Sequence, residues 1–143
     1  MKKAILLVFV VAVAAMDPLM AAPTTKSLYD LTVNIANLIS SEHLGYIKIH
    51  GKKKATDTAM GAVRDKMKDP GSVQFRNVKS LKYNGGVLLC GEFNAKNGYG
   101  AYTGYQPFIA GGMGVLMPSD SSAAVYVIAN ICDGAPEPNF DGG

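Results

Sequence analysis

Two apolar runs on either side of an Asn-Gly dipeptide constrain the fold of this chain more than any other feature. Residues 73–78 and 87–93 are rich in β-branched and aromatic side chains, as strands are. The dipeptide Asn84-Gly85 between them readily adopts the positive φ angles of a tight hairpin turn. The sequence therefore predicts an antiparallel hairpin over residues 72–93.

Alternation along the hairpin predicts which side chains share a face. In the second strand, Leu88, Cys90 and Glu92 are expected together on one face. Gly91 within that strand predicts a bulge or a close backbone approach. In the first strand, Val78 is expected on the same face as Arg76.

Helical periodicity predicts two helices before the hairpin. Residues 26–41 carry a stripe of apolar side chains spaced by three and four, which is expected to pack on the domain. Binding to a membrane surface is the alternative, and it is less favoured because the opposite face is not basic. A second helix is expected to start at Thr56 or Asp57 and to end before Pro70, since proline displaces the preceding residue from the helical region. The stripe of the first helix consists of Leu28, Leu31, Ile35, Leu38 and Ile39.

The remaining segments complete the expected architecture. Residues 46–50 alternate like a short strand, and residues 51–54 form a lysine-rich turn that is either a solvated loop or a contact for an anionic surface. Residues 102–110 are predicted as a third strand, and residues 123–130 as a buried fourth strand. The expected fold class is α+β, with N-terminal helices packed on a small antiparallel sheet of three to four strands.

The N-terminus has the charge order of a secretory signal peptide. Lys2 and Lys3 precede the uncharged apolar residues 4–15, a run shorter than the roughly 20 residues of a membrane span. The chain is therefore expected to be exported, periplasmic or secreted, with membrane contact only if this segment stays uncleaved. The expected layout is a signal peptide over residues 1–21, an N-terminal helix and short strand over 22–50, an α+β core over 51–133 and a flexible tail over 134–143.

The net charge bears on the class of partner, and the cysteine content bears on whether the chain has a disulfide. Without Lys2, Lys3 and Asp17 of the predicted signal segment, 12 basic and 10 acidic residues remain, a balance too mild to indicate a nucleic-acid partner. Cys90 and Cys132 are the only cysteines in the sequence. In an exported chain they are expected to form a disulfide, since a structural zinc site takes four ligands. Two buried free thiols are the alternative in a reducing compartment.

The sequence contains no recognisable catalytic motif. His43 and His50 both precede the cysteines by a long stretch and lack the i, i+4 spacing of a helical metal pair. The Gly-x-Ser-x-Gly motif of serine hydrolases does not occur. We therefore predict no catalytic residue, no cofactor and no metal site, and an envelope-acting hydrolase is kept as the alternative function.

Polar and aromatic residues around the second strand form the candidate ligand-binding region. Tyrosines alternate with glycines after that strand, and such rings suit recognition because they give contact area at low entropic cost. Arg76 and Glu92 are expected either to pin the sheet to the loop at 94–104 or to join a ligand pocket. The expected function is non-enzymatic binding of an unknown envelope protein or cell-surface ligand, and a membrane-tethered structural protein is a further alternative. The candidate residues are Arg76, Glu92, Asn94, Lys96, Tyr99, Tyr102 and Tyr105.

Short motifs between residues 55 and 110 occur in a distinctive order. They are Lys68-Asp69-Pro70, Ser72 with Gln74-Phe75-Arg76-Asn77-Val78, Cys90-Gly91-Glu92, Asn94 with Lys96-Asn97, and Tyr102 through Gly104 to Pro107-Phe108. This order resembles a family of small exported bacterial and prophage-associated proteins of unknown function, although the chain departs from the family pattern at Gly71 and Ala101. The resemblance implies an envelope location and a small α+β domain, and it implies no particular activity.

Overall fold

The computed structural model describes residues 22–140, and the predicted signal peptide lies outside them. Two helices come first, an antiparallel sheet follows, and a third helix comes after the sheet, so the predicted α+β class is confirmed. The elements are α1 (Thr25–His50), α2 (Lys52–Asp65), a short 3₁₀ turn (Pro70–Ser72), β1 (Gln74–Tyr83), β2 (Gly86–Asn94), β3 (Gln106–Ala110), β4 (Val115–Leu116) and α3 (Ala124–Asp133).

The sheet is a meander in which each strand pairs with the next. Within the described residues it has four strands in the order β1-β2-β3-β4, and every pair is antiparallel. The predicted hairpin is confirmed, with Tyr83 paired to Gly86 across the turn. Asn84 and Gly85 have φ angles of 44° and 75°, as a tight hairpin turn requires.

A β-bulge interrupts the hairpin opposite Gly91. The register shifts between Arg76 and Lys79, so that Asn77 and Val78 together face this glycine. The bulge turns Val78 towards the cluster that contains Phe75, which corrects the predicted face of Val78. A Cβ atom at Gly91 would lie 2.9 Å from both Phe108 Cζ and Val78 Cγ2. The close approach predicted at Gly91 is therefore present, and the atoms that approach its backbone belong to the side chains of Phe108 and Val78.

Helices cover both faces of the sheet. On one face, α2 packs Ala59 and Val63 against Leu89 and Phe108, so the expected cover by the second helix is confirmed. On the other face, α1 and α3 pack on a second apolar cluster. Its buried members include Ala36, Ile39, Leu88, Ile109, Val127 and Ile128.

The first helix is longer than predicted. Residues 46–50 form its last turns, so the predicted short strand at that place is wrong. Gly51, with a φ angle of 83°, ends α1 by donating its N–H to the Ile47 carbonyl. The lysines at 52–54 begin α2, so the predicted loop and the predicted start at Thr56 or Asp57 are also wrong. Five alternating residues are too few to distinguish a strand from the end of an amphipathic helix.

The apolar stripe of α1 does not pack as predicted. Leu31, Ile35 and Leu38 are 57%, 41% and 58% exposed. Of the five predicted members only Ile39 is buried, and Leu28 is half-buried. The helix instead turns a face rich in small and polar side chains to the sheet. The buried residues of α1 are Tyr29, Thr32, Ala36, Ile39, Ser40 and His43.

The third predicted strand is shorter than expected, and the fourth is a helix. Of residues 102–110, only Gln106–Ala110 form β3, while Tyr102 makes an isolated bridge to Lys96. Residues 124–133 form α3, so the predicted strand over 123–130 is wrong. Val125 and Tyr126 are exposed between buried neighbours, which is a helical rather than an alternating pattern. A continuous apolar run does not distinguish a buried strand from a buried helix.

A disulfide between Cys90 and Cys132 joins β2 to α3. The two sulfur atoms are 2.03 Å apart, and the Cα atoms are 5.8 Å apart. The predicted pairing is thereby confirmed.

The segment after α3 contains no helix or strand between residues 134 and 140. The ring of Phe140 lies 5.3 Å from the ring of Tyr29, and the Asn130 amide donates to the Ala135 carbonyl. Flexibility of the predicted tail stays a prediction, and residues 141–143 lie outside the described residues.

Candidate functional site

Arg76 and Glu92 form a bidentate ion pair across the hairpin. Arg76 Nε donates to Glu92 Oε2 at 2.9 Å, and Nη2 donates to Oε1 at 3.0 Å. Hydrogen bonds from Arg76 and then from Asn77 hold the pKa of Glu92 below its usual value. The predicted pairing of these two residues is confirmed, and a role for them in ligand binding stays a prediction.

Asn77 belongs to this site although the sequence did not single it out. Its Nδ2 donates to Glu92 Oε2 at 2.7 Å. The bulge places Asn77 at a φ angle of 53°, a left-handed conformation that asparagine tolerates better than most residues. The sequence signal was available in the pair of Asn77 and the strand glycine Gly91, since both allow an irregular backbone.

Tyr105 covers the outer side of the ion pair. The guanidinium carbon of Arg76 lies 3.8 Å from the centroid of the Tyr105 ring. The cation–π contact and the two hydrogen bonds to Glu92 together fix the position of the arginine. The structure therefore brings together three of the seven predicted residues, Arg76, Glu92 and Tyr105.

Residues 95–105, called the tyrosine loop below, are held by side-chain to backbone hydrogen bonds. Asn94 Oδ1 accepts the N–H of Gly104 at 3.0 Å. Asn97 Oδ1 accepts the N–H groups of Tyr99 and Ala101 at 2.9 and 3.2 Å, which closes a tight turn. Asn94 thus orders the loop, and this role needs no ligand.

Ser72 anchors the base of the tyrosine loop to the segment before β1. Its Oγ accepts the N–H of Lys96 at 2.9 Å, and its carbonyl accepts the Tyr102 hydroxyl at 3.1 Å. Lys96 Nζ lies 5.5 Å from the centroid of the Tyr102 ring. Lys96 and Tyr102 therefore lie side by side. The contacts described for them are with Ser72 and with each other, so they form a group separate from the Arg76–Glu92 pair.

Tyr99 differs from the other tyrosines of the loop. It is 98% exposed although its backbone N–H is bound in the Asn97 turn. Its side chain therefore contributes nothing to the core, and the ordered turn holds it out in solvent.

Two open clefts flank this region. A cavity of about 360 Å³ beside the disulfide is lined by Asn77, Lys79, Glu92 and Asp133 among others, and Lys79 Nζ donates to the Cys132 carbonyl. A second cavity of about 250 Å³ lies at the base of the tyrosine loop. Its lining combines Lys66, Lys68 and Lys96 with Met67, Phe93 and Met117.

The histidines and cysteines are engaged in structural contacts. His43 is buried, and its Nδ1 accepts the N–H of Gly112 at 3.0 Å. The ring of His50 lies 4.2 Å from the ring of Tyr46. Because both cysteines share the disulfide, neither is a free thiolate nucleophile.

Searches for a metal site and a membrane span cover residues 22–140. Over that range, no group of three or more His, Cys, Asp or Glu side chains could hold a metal ion. No helix in the same range combines the length and the hydropathy that a membrane crossing needs.

Comparison with known proteins finds no matching family model, no similar curated protein and no similar solved structure. The resemblance to the exported and prophage-associated family stays a prediction.

Proposed function

We propose that this protein is a small exported envelope protein that binds another envelope protein through the tyrosine loop and the adjoining Arg76–Glu92 surface, without enzymatic activity. The disulfide supports export, because such bonds persist in oxidising compartments. The basic and then apolar order of residues 1–15 supports the same route.

Exposure of Tyr99 on an ordered turn is the observation that carries the proposal. The hydrogen bonds of Asn94, Asn97 and Ser72 order the loop before any partner arrives. A preorganised loop loses little conformational entropy on binding, and a tyrosine offers a large contact area with a polar end. These properties are typical of a recognition anchor.

The Arg76–Glu92 pair also supports the proposal. In the proposed complex this rigid pair forms the edge of the contact surface. Both charges already have partners in the protein, so a ligand need not supply a counter-charge. The Tyr105 ring over Arg76 presents one face of a rigid aromatic and cationic stack. A protein partner with apolar and hydrogen-bonding groups fits such a surface.

Site-specific photocrosslinking tests this proposal. We would place p-benzoylphenylalanine at position 99 in cells that export the protein, and at position 126 as the matched control. Tyr126 is also an exposed tyrosine, but it belongs to α3 and not to the loop. We expect a protease-sensitive crosslinked product from position 99 and none from position 126.

Binding of the partner identified in that way is then measured directly. Tyr99→Ala is expected to weaken its affinity by about tenfold or more, as for an aromatic anchor, and Tyr126→Ala is expected to leave it unchanged. Equal products from both positions, or a product that resists protease, would contradict a specific protein partner at this loop.

A further inference from the structure

The α1 stripe, defined here as Leu28, Leu31, Ile35 and Leu38, is an apolar row that begins at the half-buried Leu28 and continues as three exposed side chains. Leu31 and Leu38 are each more than half exposed, and Ile35 is 41% exposed. Leu28 packs at the edge of the core, whereas Leu31, Ile35 and Leu38 lie outside the face by which α1 packs on the sheet. A contiguous exposed apolar row on a rigid helix is typical of an interaction surface.

The spacing of the stripe matches a coiled-coil seam. Successive members are three, four and three residues apart, as a and d positions of a heptad are. In that register Ile35 occupies an a position, and Leu31 and Leu38 occupy d positions. The next seam positions are Glu42 and Gly45, so the apolar seam ends after Leu38.

The polar residues beside the stripe indicate what the other helix is. Ser27, Asn34 and Ser41 border its exposed side and are uncharged. The exposed Asp30 lies farther round the helix and is paired with Lys26. Two identical surfaces of this kind meet without like-charge repulsion. Helices that lie on membranes carry Lys and Arg along the apolar face, and α1 has neither between Ser27 and Ser41. We propose that a second copy of this chain covers the α1 stripe, with the two α1 helices antiparallel.

Glu42 sets the orientation of the pair. In a parallel arrangement, Glu42 of one copy would face Glu42 of the other at the end of the seam. In an antiparallel arrangement centred between Leu31 and Leu38, it faces the first turn of the partner helix near Ser27. The positive end of the helix dipole at a first turn favours a negative charge, whereas two adjacent carboxylates repel each other. The contact closes on itself by two-fold symmetry, so a dimer is the expected product.

Sedimentation measurements test the dimer on the full exported chain. Because the seam is short, we expect a weak dimer with a dissociation constant of about 10–500 µM. Ile35→Lys is expected to weaken it at least tenfold. The control is Val125→Lys, which places the same charge at a 43% exposed apolar residue of α3 and is expected to leave the dimer unchanged. Circular dichroism of both variants verifies that each is folded.

Photocrosslinking tests the orientation. With p-benzoylphenylalanine at position 38, fragment-ion sequencing of the intermolecular product is expected to place the crosslink of an antiparallel pair at or next to Leu31. A crosslink that the fragment ions place at or next to position 38 of the second copy would overturn the antiparallel arrangement.

Three other results would overturn the proposal itself. The first is a monomer at every concentration up to about 1 mM. The second is equal association of Ile35→Lys, Val125→Lys and the unsubstituted chain. The third is a monomer that floats with anionic lipid vesicles and loses them on Ile35→Lys, which would assign the stripe to lipid. None of these results bears on Tyr99, because no residue of the stripe belongs to the tyrosine loop.

Discussion

Glu92 lies directly opposite Arg76 in the β1–β2 pairing, and each of its carboxylate oxygens accepts a hydrogen bond from the guanidinium. Asn77 adds a third donor from the bulge. Exposed ion pairs contribute little to stability on average, and both side chains here are partly open to solvent. The main structural effect of the ion pair is to fix the orientation of the Arg76 side chain against the Tyr105 ring.

The first prediction concerns the ionisation of Glu92. Its carboxyl pKa is expected below that of an ordinary glutamate, because Arg76 and Asn77 bond to its charged form. Arg76→Ala is expected to raise this pKa, and Asn77→Ala to raise it less. NMR titration of the Glu92 carboxyl carbon measures the change, with Lys82→Ala on the same strand as the control. An unchanged pKa in Arg76→Ala would contradict the proposed cause.

The lowered pKa also fixes the sign of a pH effect. The contribution of Glu92 to stability is complete above its unfolded pKa, near 4.3, and is lost as the pH falls through the lower folded value. Arg76→Ala is expected to reduce this acid dependence.

The second prediction concerns His43. Burial lowers its pKa, because the charged imidazole loses its hydration in the folded state. The neutral form is therefore favoured by folding, and the free energy of unfolding is expected to decrease as the pH falls below about 6.5. NMR titration is expected to give a pKa for buried His43 below that of a histidine in an unfolded peptide. His50→Gln should keep the same fall in stability between pH 7.5 and 5.5, and loss of that fall would contradict the assignment to His43.

The third prediction concerns export and the disulfide. Protein from the periplasmic fraction is expected to lack about 2 kDa of N-terminal sequence in intact-mass measurement. Both thiols should resist labelling until a reductant is added. A full-length mass with two labelled thiols would contradict export and return the N-terminal anchor and cysteine chemistry to consideration.

The disulfide is also expected to increase the free energy of unfolding. The paired substitution of Cys90→Ala and Cys132→Ala is expected to cost about 3–4 kcal/mol, because the bridge restricts the unfolded chain over a separation of 42 residues. Urea unfolding at neutral pH measures this difference. A cost near zero would mean that the packing of α3 on the sheet is sufficient without the bond.

The fourth prediction concerns Gly91. Gly91→Ala is expected to destabilise the fold by about 1–3 kcal/mol, because the new methyl group meets Phe108 and Val78 in a packed core. Gly61→Ala is the control, since nothing lies within 4 Å of its added Cβ and alanine favours the helical conformation there. Urea unfolding is expected to show opposite shifts for the two variants. Equal stability of Gly91→Ala and the unsubstituted chain would show that the neighbours can move apart.

The sequence predicted best those features that short-range chemistry determines. The hairpin follows from Asn84-Gly85 and its flanking apolar runs. The second helix ends before Pro70 as predicted, but it already ends at Asp65, four residues before the residue that the proline restricts. The helix over residues 124–133 was missed because its apolar run has no visible period. The outward face of α1 was missed because periodicity finds an apolar stripe without showing which neighbour covers it.

The candidate site likewise has features that the sequence predicted and features that it did not. The pairing of Arg76 with Glu92 followed from strand alternation once the hairpin was predicted. The contributions of Asn77 and Ser72 depend on a bulge and on the position of the loop base. Neither position has a periodic signal, so contacts of this kind require the folded structure.

The bond between Cys90 and Cys132 has a mechanical consequence for the proposed contact at the tyrosine loop. Every residue between these cysteines, the tyrosine loop included, lies within one covalently closed ring of chain. Tension applied from either terminus passes from β2 to α3 through the sulfur atoms and bypasses the ring. Pulling on the two ends of this molecule would therefore unravel α1, α2 and β1. The loop that presents Tyr99 would not be extended, because it lies inside the ring closed by the disulfide.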